Sequence, residues 1–366
     1  MKRELAGTAK SAEVTTGRPF SRRSRSRTVA AVFEGLAIST NVLCCRAPPF
    51  WPSASAQCVP LAVRPALLWA SVRAQDHAAL TLHIWDNAAT AASRALIASI
   101  TGPDERTHSE TNLGFSGGHN ALIARGNDSY YLCLNPDAVL EPAYVRMLVE
   151  TLEGMPAAGS ATGRLLRLDA PDTIDSTGIV MTPDQRHLDR GAGEPAAGRY
   201  VAGPESIFGP SGAVALYRRA MLADIAYDGE VFDQAFFAYR EDADLAWRAR
   251  WRGWDSLYVP QAIAWHRRRV TPERRSALPA EINRYSVRNR FLLRLKNQSA
   301  GLAWRFLRPA LVRDAQVVGY VLLREWGSIP GLLDVVRLTP AMLSKRRHVL
   351  GRRKVRAAEL ARWFQL

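Results

Sequence analysis

An α/β domain with a mostly parallel central sheet flanked by helices, followed by a helical C-terminal extension, is the fold class this sequence predicts. Three observations predict it. Strand-like and helix-like runs alternate from about Leu67 to His266, as they do where strands pair in parallel through crossover helices. With 366 residues and 47% hydrophobic composition, the chain can bury one large core or two smaller ones. After His266 the pattern changes to Leu, Val and Trp alternating with Arg at helical spacing, which marks a separate region.

The elements follow in order. Residues 1–64 are basic, contain Ser and Pro, and hold no sustained period of 2 or 3.6, so no element is assigned there. Within residues 65–270, "LTLHIWDN" reads as a strand and "TAASRALIASI" as a helix. "SGGHNALIARG" reads as a second helix and "YYLCLNP" as a buried strand. "EPAYVRMLVETLEGM" carries Val145, Leu148, Val149 and Leu152 on one helical face, with Pro142 suited to its first turn. Residues 271–366, opened by "RRRVTPERR", form the basic helical region, and no internal repeat is evident.

The formal net charge of +15 points to an anionic partner: a nucleotide, a nucleic acid or an acidic membrane face. Cys44, Cys45, Cys58 and Cys133 have neither zinc-type spacing nor a disulfide framework, which fits a reduced, cytosolic setting. Charged residues such as Arg313, Asp314 and Arg324 interrupt each apolar stretch short of the roughly 18 residues a membrane span needs. No transmembrane helix is expected. "SRRSRSRTVAAVF" only faintly resembles an export signal.

In an open parallel sheet, ligands collect at the carboxyl ends of strands. Asp137, just past "YYLCL", is therefore a site candidate, although Asn135, Pro136 and Asp137 also suit a plain turn. Asp86 and Asn87 end the preceding strand, and Gly114, Gly117 and Gly118 stand before or within a helix whose N-terminus suits a phosphate. Glu241 and Asp242 open another helix, where acidic residues often serve only the helix dipole. Arg248 and Arg252 follow on that helix, placed to reach phosphate or to pair with Asp244 and neighbouring carboxylates.

Taken together, "WDNAAT", "NLGFSGGHN", "LNPDAVLEP", "GPSGAVALYRRAML", "FDQAFFAYREDADLAWRARWRG" and "YVPQAIAWH" resemble the family 2 glycosyltransferases, specifically the bacterial rhamnosyltransferase-like branch with a GT-A fold. The resemblance covers roughly Leu67 to Arg290. It implies an inverting transfer of a sugar, rhamnose by analogy with the branch, from a nucleotide-diphosphate donor to a hydroxyl of a saccharide or lipid-linked acceptor in cell-surface polysaccharide synthesis. Asp137, with Asn135 where the family has its first acidic residue, then matches the metal-holding motif, and His266 matches a histidine that completes the site for Mg²⁺ or Mn²⁺. Asp86 matches the nucleobase contact. Asn87, and the loop carrying Asn112, Gly114, Phe115, Gly117, Gly118 and Asn120, lie beside the donor. Ser211 and Gly212 line the sugar pocket. Asp242 matches the catalytic base, with Glu241 as its support.

The chemistry explains those residue types. Negative charge builds on the departing diphosphate while the ring gains oxocarbenium character, and a cation in an oxygen-rich site offsets the former. A carboxylate on the opposite face takes the acceptor's proton.

One departure from the family stands out. The apolar first strand is not recognisable in "CCRAPPFWPSASAQCVPLAVRPALL", whose prolines oppose a central strand, although the following helix end is present at Ala70 to Asp76. We therefore expect residues before about Val63 not to be the ancestral start, as after a shifted reading frame or a mis-set start. An impaired relative lacking the first nucleotide-binding strand is the alternative this raises. A nucleic-acid-binding protein, suggested by "RRSRSR", is remote, because no recognition motif accompanies the arginines. The basic tail, with "GLAWRFLRPALVRDAQVVGYVLLREW", suits peripheral contact with an anionic membrane at the cytoplasmic face.

Overall fold

The computed structural model describes residues 36–43, 64–77, 79–268, 275 and 277–365. Cys44, Cys45, Cys58, "RRSRSR", the export-like stretch and most of "RRRVTPERR" lie outside them.

Among the described residues, ten strands form one sheet in the order β10-β12-β6-β11-β4-β1-β2-β3, with β5 paired to β12 and β7 to β6. The strands are β1 (Leu36–Leu43), β2 (Leu80–Asn87), β3 (Arg106–Ser109), β4 (Tyr130–Leu134), β5 (Ala138–Leu140), β6 (Ala158–Arg167), β7 (Ala170–Ser176), β10 (Glu205–Ser206), β11 (Val214–Arg218) and β12 (Asp255–His266). β8 (Ile179–Met181) and β9 (His187–Asp189) form a separate antiparallel pair. The α/β class with flanking helices and a helical C-terminal region is as expected. Parallel pairing is confined to β3-β2-β1-β4 and to β6-β12, since β11 enters antiparallel between the two groups.

The first strand corrects the sequence reading. Leu36–Leu43 runs parallel between β2 and β4, with Leu36 opposite both Leu80 and Tyr130. The central position expected to be vacant is filled by "LAISTNVL", upstream of the proline-rich stretch in which the strand was sought. A central strand of a parallel sheet needs no polar–apolar alternation, so no period of 2 marks it in the sequence. The alternative of a relative lacking this strand loses its premise.

β4 shows the same physics: all five residues of "YYLCL" are buried, between β1 and β11. Helix α4 (Tyr144–Gly154) buries Val145, Leu148, Val149 and Leu152 completely or nearly so, at about 1.5–3 kcal/mol each. The remaining helices are α1 (Arg64–Arg73), α2 (Ala91–Ile100), α3 (Gly114–Ile123), α5 (Arg219–Ile225), α6 (Glu241–Trp251), α7 (Ala280–Asn297), α8 (Ala300–Arg305), α9 (Leu307–Arg324), α10 (Ile329–Gly351) and α11 (Ala357–Leu360). Among the described residues no helix is long and apolar enough to cross a membrane.

Candidate active site

The turn "NPD" closes β4 through the Ala138 amide, which donates to Asn135 O at 3.2 Å. This leaves Asp137 at the carboxyl edge of the sheet. The antiparallel partner β12 brings His266 opposite Ala138, so that His266 Nε2 stands 3.4 Å from Asp137 Oδ1 and 3.4 Å from Asn135 Nδ2. The other ring nitrogen, Nδ1, is 2.8 Å from Asp175 Oδ2, and Asp175 is itself paired with Arg268 at 2.6 Å. Burial alone would lower the His266 pKa, but Asp137 and Asp175 outweigh it and hold it up at about 9. Arg268 also pairs with Asp189 at 2.7 Å.

The two carboxylates expected to flank a sugar are tied to one edge by a short chain of backbone bonds. The Asn135 amide donates to Ala213 O at 2.8 Å, joining the end of β4 to the segment before β11. One residue earlier, the Gly212 amide donates to Asp242 Oδ2 at 3.0 Å. A side chain at Gly212 would place its Cβ 3.3 Å from the Asp242 Cβ, which accounts for glycine there. Ser211 is buried beside it. Burial raises the Asp242 pKa; the Gly212 bond opposes that, and the nearby Asp189 charge adds to it. Glu241 is buried with Oε2 unpartnered, and burial followed by Asp242 pushes its pKa well above the carboxylate range. Burial thus favours the protonated form of both carboxyls, and the Asp242 charge adds to that at Glu241.

Sequence reasoning missed the loop that aims this pair. Phe237, Tyr239 and Arg240 all have positive φ, at 64°, 70° and 73°, and each such non-glycine residue costs on the order of 1–3 kcal/mol. Helix α7 holds the loop in place. Asn289 Nδ2 donates to the carbonyls of Phe236, Ala238 and Tyr239 at 2.9, 2.8 and 2.8 Å. Arg288 donates to Ala235 O and Phe236 O and fixes the Asn289 amide through its Oδ1 at 2.9 Å. The signal for these residues was faint: "RYSVRN" has the polar composition of an exposed helix.

The glycine-rich helix start meets the same loop. The Ser116 amide donates to Phe237 O at 3.1 Å, and Gly114, at φ 70°, would bring a Cβ within 2.5 Å of that oxygen. Asn112 Oδ1 accepts from the Gly114 amide at 2.9 Å. Phe115, Gly117 and Gly118 are buried in α3, and the Phe115 ring lies 3.5 Å from where a Gly212 Cβ would be.

Two residues expected beside the donor hold neighbouring loops. Asn87 accepts from the Leu113 amide at 2.6 Å and donates to Gly114 O at 3.0 Å. Asn120 spends its amide on the backbone of Val231 and Phe232. Both bear on the site through the loops they hold. Asp86 is buried, accepts from the Ala89 amide at 2.8 Å, and pairs with His108 at 2.9 Å and Arg94 at 3.4 Å, partners the sequence did not single out.

Arg248 pairs with Asp244 at 2.8 Å and donates to Ile225 O and Val231 O, while Arg252 pairs with Asp224 at 2.7 Å. Both are structural here.

A metal at Asp137 and His266 meets a partial donor set. Two ligand atoms held in adjacent positions by one Mg²⁺ sit roughly 3 Å apart, close to the 3.4 Å between Nε2 and Oδ1. Asp175 on Nδ1 is the carboxylate that commonly orients a metal-binding imidazole. Among the described residues, however, no group of three or more His, Cys, Asp or Glu side chains is disposed to hold an ion.

Comparison with known proteins adds the family. A search of curated proteins finds no match. The chain superposes on the structure of GalNAc-T7 with UDP, GalNAc and Mn²⁺ with a TM-score of 0.51 at 9% identity, covering 91% of this chain and 59% of that one. It superposes on S. aureus TarS with a TM-score of 0.50 at 13% identity, covering 87% and 55%. The chain thus spans less than two thirds of these structures' own length, and at such identities the likeness is one of fold. The family model described as Glycosyltransferase like family 2 matches residues 72–285, more than half the sequence, and the chain belongs to that family.

Proposed function

We propose that this chain is an inverting glycosyltransferase that moves a sugar, read as rhamnose from the sequence resemblance, from a nucleotide diphosphate to a hydroxyl of a saccharide or lipid-linked acceptor in cell-envelope polysaccharide synthesis. The observation that carries the reading is the backbone link between the Asp137 turn and Asp242, through Asn135 to Ala213 and Gly212 to Asp242. Asp242 takes the acceptor proton at Oδ1 or Oδ2, and its raised pKa makes it a stronger base than a solvated aspartate. Glu241, holding its own proton, keeps a second negative charge away from the attacking oxygen. Gly212 fixes the Asp242 carboxylate and lets backbone approach the sugar. Asp137 and His266 are the residues that would hold Mg²⁺ or Mn²⁺, which when bound neutralises charge on the leaving diphosphate. Donor oxygens and water would supply the remaining positions. The domain limits at residues 65 and 270 belong to this reading.

A thermal-shift series of the full chain against nucleoside diphosphates with Mn²⁺, followed by transfer assays with nucleotide sugars, tests it. At least one nucleotide is expected to raise the melting temperature, because a ligand bound only by the native state stabilises it. No shift with any of them, and no sugar release, would remove the reading.

Peripheral attachment to an anionic membrane at the cytoplasmic face is part of the same proposal, supported by a separate observation. Large apolar side chains stand exposed through α8, α9, α10 and the turn joining the last two, among them Trp304 at 81%, Leu323 at 76%, Trp326 at 71% and Val336 at 72%. Exposed Arg305, Arg308, Arg324 and Arg337 accompany them. Apolar anchors beside arginines suit an anionic lipid surface. Sedimentation with anionic vesicles should show binding that weakens with salt; equal recovery with neutral vesicles would count against it.

A further inference from the structure

Tyr131 and Cys133 lie two residues apart on β4, so both face the same side of the sheet. His119 of α3 meets the two of them there, and all three are fully buried. The imidazole Nδ1 is 2.7 Å from the Tyr131 hydroxyl, and Nε2 is 3.4 Å from Cys133 Sγ. Phe115 and Phe232 pack against the ring at centroid distances of 4.2 and 5.6 Å. Cys133 Sγ in turn donates to Gly212 O at 3.3 Å.

Counting protons gives these bonds one direction. A carbonyl only accepts, so the single thiol proton goes to Gly212 O and Sγ must accept from Nε2–H of His119. Desolvation lowers the His119 pKa to about 3 and raises that of Cys133, which keeps the imidazole neutral and the thiol protonated. Nδ1 is then an acceptor, and the Tyr131 hydroxyl donates to it. Three donors run from Tyr131 through His119 and Cys133 to Gly212.

That endpoint joins both halves of the site. The Gly212 amide donates to Asp242 Oδ2 at 3.0 Å, and the next carbonyl, Ala213 O, accepts from the Asn135 amide at 2.8 Å. Glycine is the residue whose backbone rotates most freely, so the aim of its N–H has to be held from outside. A bond at its own carbonyl does this. A polar chain in the core also helps only when every member is satisfied, a demand that apolar side chains would not make.

We propose that His119 and Cys133 are positioning residues for the transfer: through the thiol bond to Gly212 O they fix the Gly212 amide that aims Asp242 at the acceptor hydroxyl. The proposal rests on the reading of Asp242 as the base and adds to it a buried support on the sheet.

The test compares Cys133→Ala with Cys133→Ser in the full chain. The two differ by one hydroxyl, which can still donate to Gly212 O. Packing alone ranks Ala at or above Ser at a buried position, whereas the proposal reverses that order. With glycines labelled by ¹⁵N, Cys133→Ala should speed amide hydrogen exchange at Gly212 at least tenfold and Cys133→Ser less than threefold. Gly163, whose amide donates to the Tyr144 hydroxyl at 2.9 Å, should keep its parental rate in both. Turnover is read as nucleoside diphosphate released from a panel of nucleotide sugars, dTDP-rhamnose among them, with water and simple saccharides as acceptors. Cys133→Ala should lower kcat by about tenfold with donor KM within about twofold, and Cys133→Ser should restore most of it. His119→Phe, which keeps a ring but breaks both of its bonds, should resemble Cys133→Ala; if it fails to fold, the cysteine pair decides. Equal behaviour of Ala and Ser, or a rise at Gly163 that matches Gly212, overturns the proposal. Turnover lost in Asp242→Asn yet unchanged in Cys133→Ala overturns the positioning role and leaves the base in place. No turnover by the parent with any donor strikes the glycosyltransfer reading and the positioning role with it.

Discussion

Helix α7 and the pair α9–α10 have similar compositions, Arg interleaved with Leu and Val, yet they meet the rest of the molecule in opposite ways. α7 turns its polar side chains inward: Asn283, Arg288, Asn289, Arg290, Lys296 and Asn297 are all buried. Two of them hold the strained loop before Glu241, and Lys296 reaches Asp233 and Asp244 at 2.8 and 2.9 Å. α9 buries only Ala310 and Val321, and α10 only Gly331, Met342 and Val349. The lesson is that in a basic helix the direction of the polar face separates a helix that braces the loop before Glu241 from one that exposes apolar side chains, and composition alone does not reveal that direction.

The largest expected effect tests whether α7 belongs to the active site. Asp242→Asn removes the base outright and should lower kcat by about 10²–10⁴-fold. If the Asn289 amide positions Asp242, Asn289→Ala should lower kcat by on the order of 10²-fold with donor KM nearly unchanged, since small misplacements of a catalytic group carry such costs. The pH profile separates positioning from general damage. Asp242 must be ionised to accept a proton, and its pKa is raised by burial, so activity should fall as pH drops through a value above the ordinary aspartate pKa of about 3.9. Asn289→Ala should move that limb as the carboxylate environment relaxes. A variant with parental kcat and an unmoved limb would make α7 mere scaffold.

A smaller effect is expected where α7 meets the core of α6. Asp244 is fully buried and accepts from Arg248, Lys296 and Asn297, while Asp233 is held by Lys296 and Lys345. Burial would raise both carboxyl pKa values, but these cations keep them below the usual range. Removing one partner of a buried ion network costs roughly 3–5 kcal/mol, so Lys296→Met should lower the unfolding free energy by about that much in a denaturant titration. The sign with pH follows. Carboxylates with depressed folded pKa values stabilise fully above their unfolded value of about 3.9 and lose that contribution as pH falls toward the folded values. The parent should therefore lose stability below about pH 4, and Lys296→Met should lose less over the same interval. A loss under 1 kcal/mol at neutral pH would show that Lys345 and Arg248 suffice without Lys296.

These contrasts also explain what the sequence could and could not reveal. β2 and β4 were legible because eight and five residues of strand-forming type end at polar turns, and α4 because its four core residues keep a helical period. Asp137, Gly212, Asp242 and His266 sit in short motifs whose chemistry needs those residue types, and the fold brings them to one edge. β1 was not legible: "LAISTNVL" is short, lacks a period, and is followed by 20 residues that include four prolines. The roles of Asn289, Arg288 and His108 depend on contacts 50, 53 and 22 residues away along the chain. Local pattern carries no trace of such pairings. Asn87 and Asn120 were singled out from their motifs alone, and the loops that their amides hold depend on contacts the motifs do not show.

The smallest expected effect completes the contrast from the other side. Leu323 and Trp326 are three-quarters exposed, so replacing them by Ser removes little buried area and creates no cavity. Surface substitutions of this kind change stability by within about 0.5 kcal/mol. Turnover on a water-soluble acceptor should be unchanged, because neither residue belongs to the loop held by α7. Binding to anionic vesicles should fall instead, since apolar insertion scales with the area offered and the adjacent Arg324 retains only the salt-sensitive share. The double variant therefore distinguishes two uses of an exposed apolar face. If it loses several kcal/mol of stability, α9 is packed against something that the folded chain itself supplies; if only the vesicle partition drops, the face is a lipid contact and α7 alone among these helices serves the chemistry.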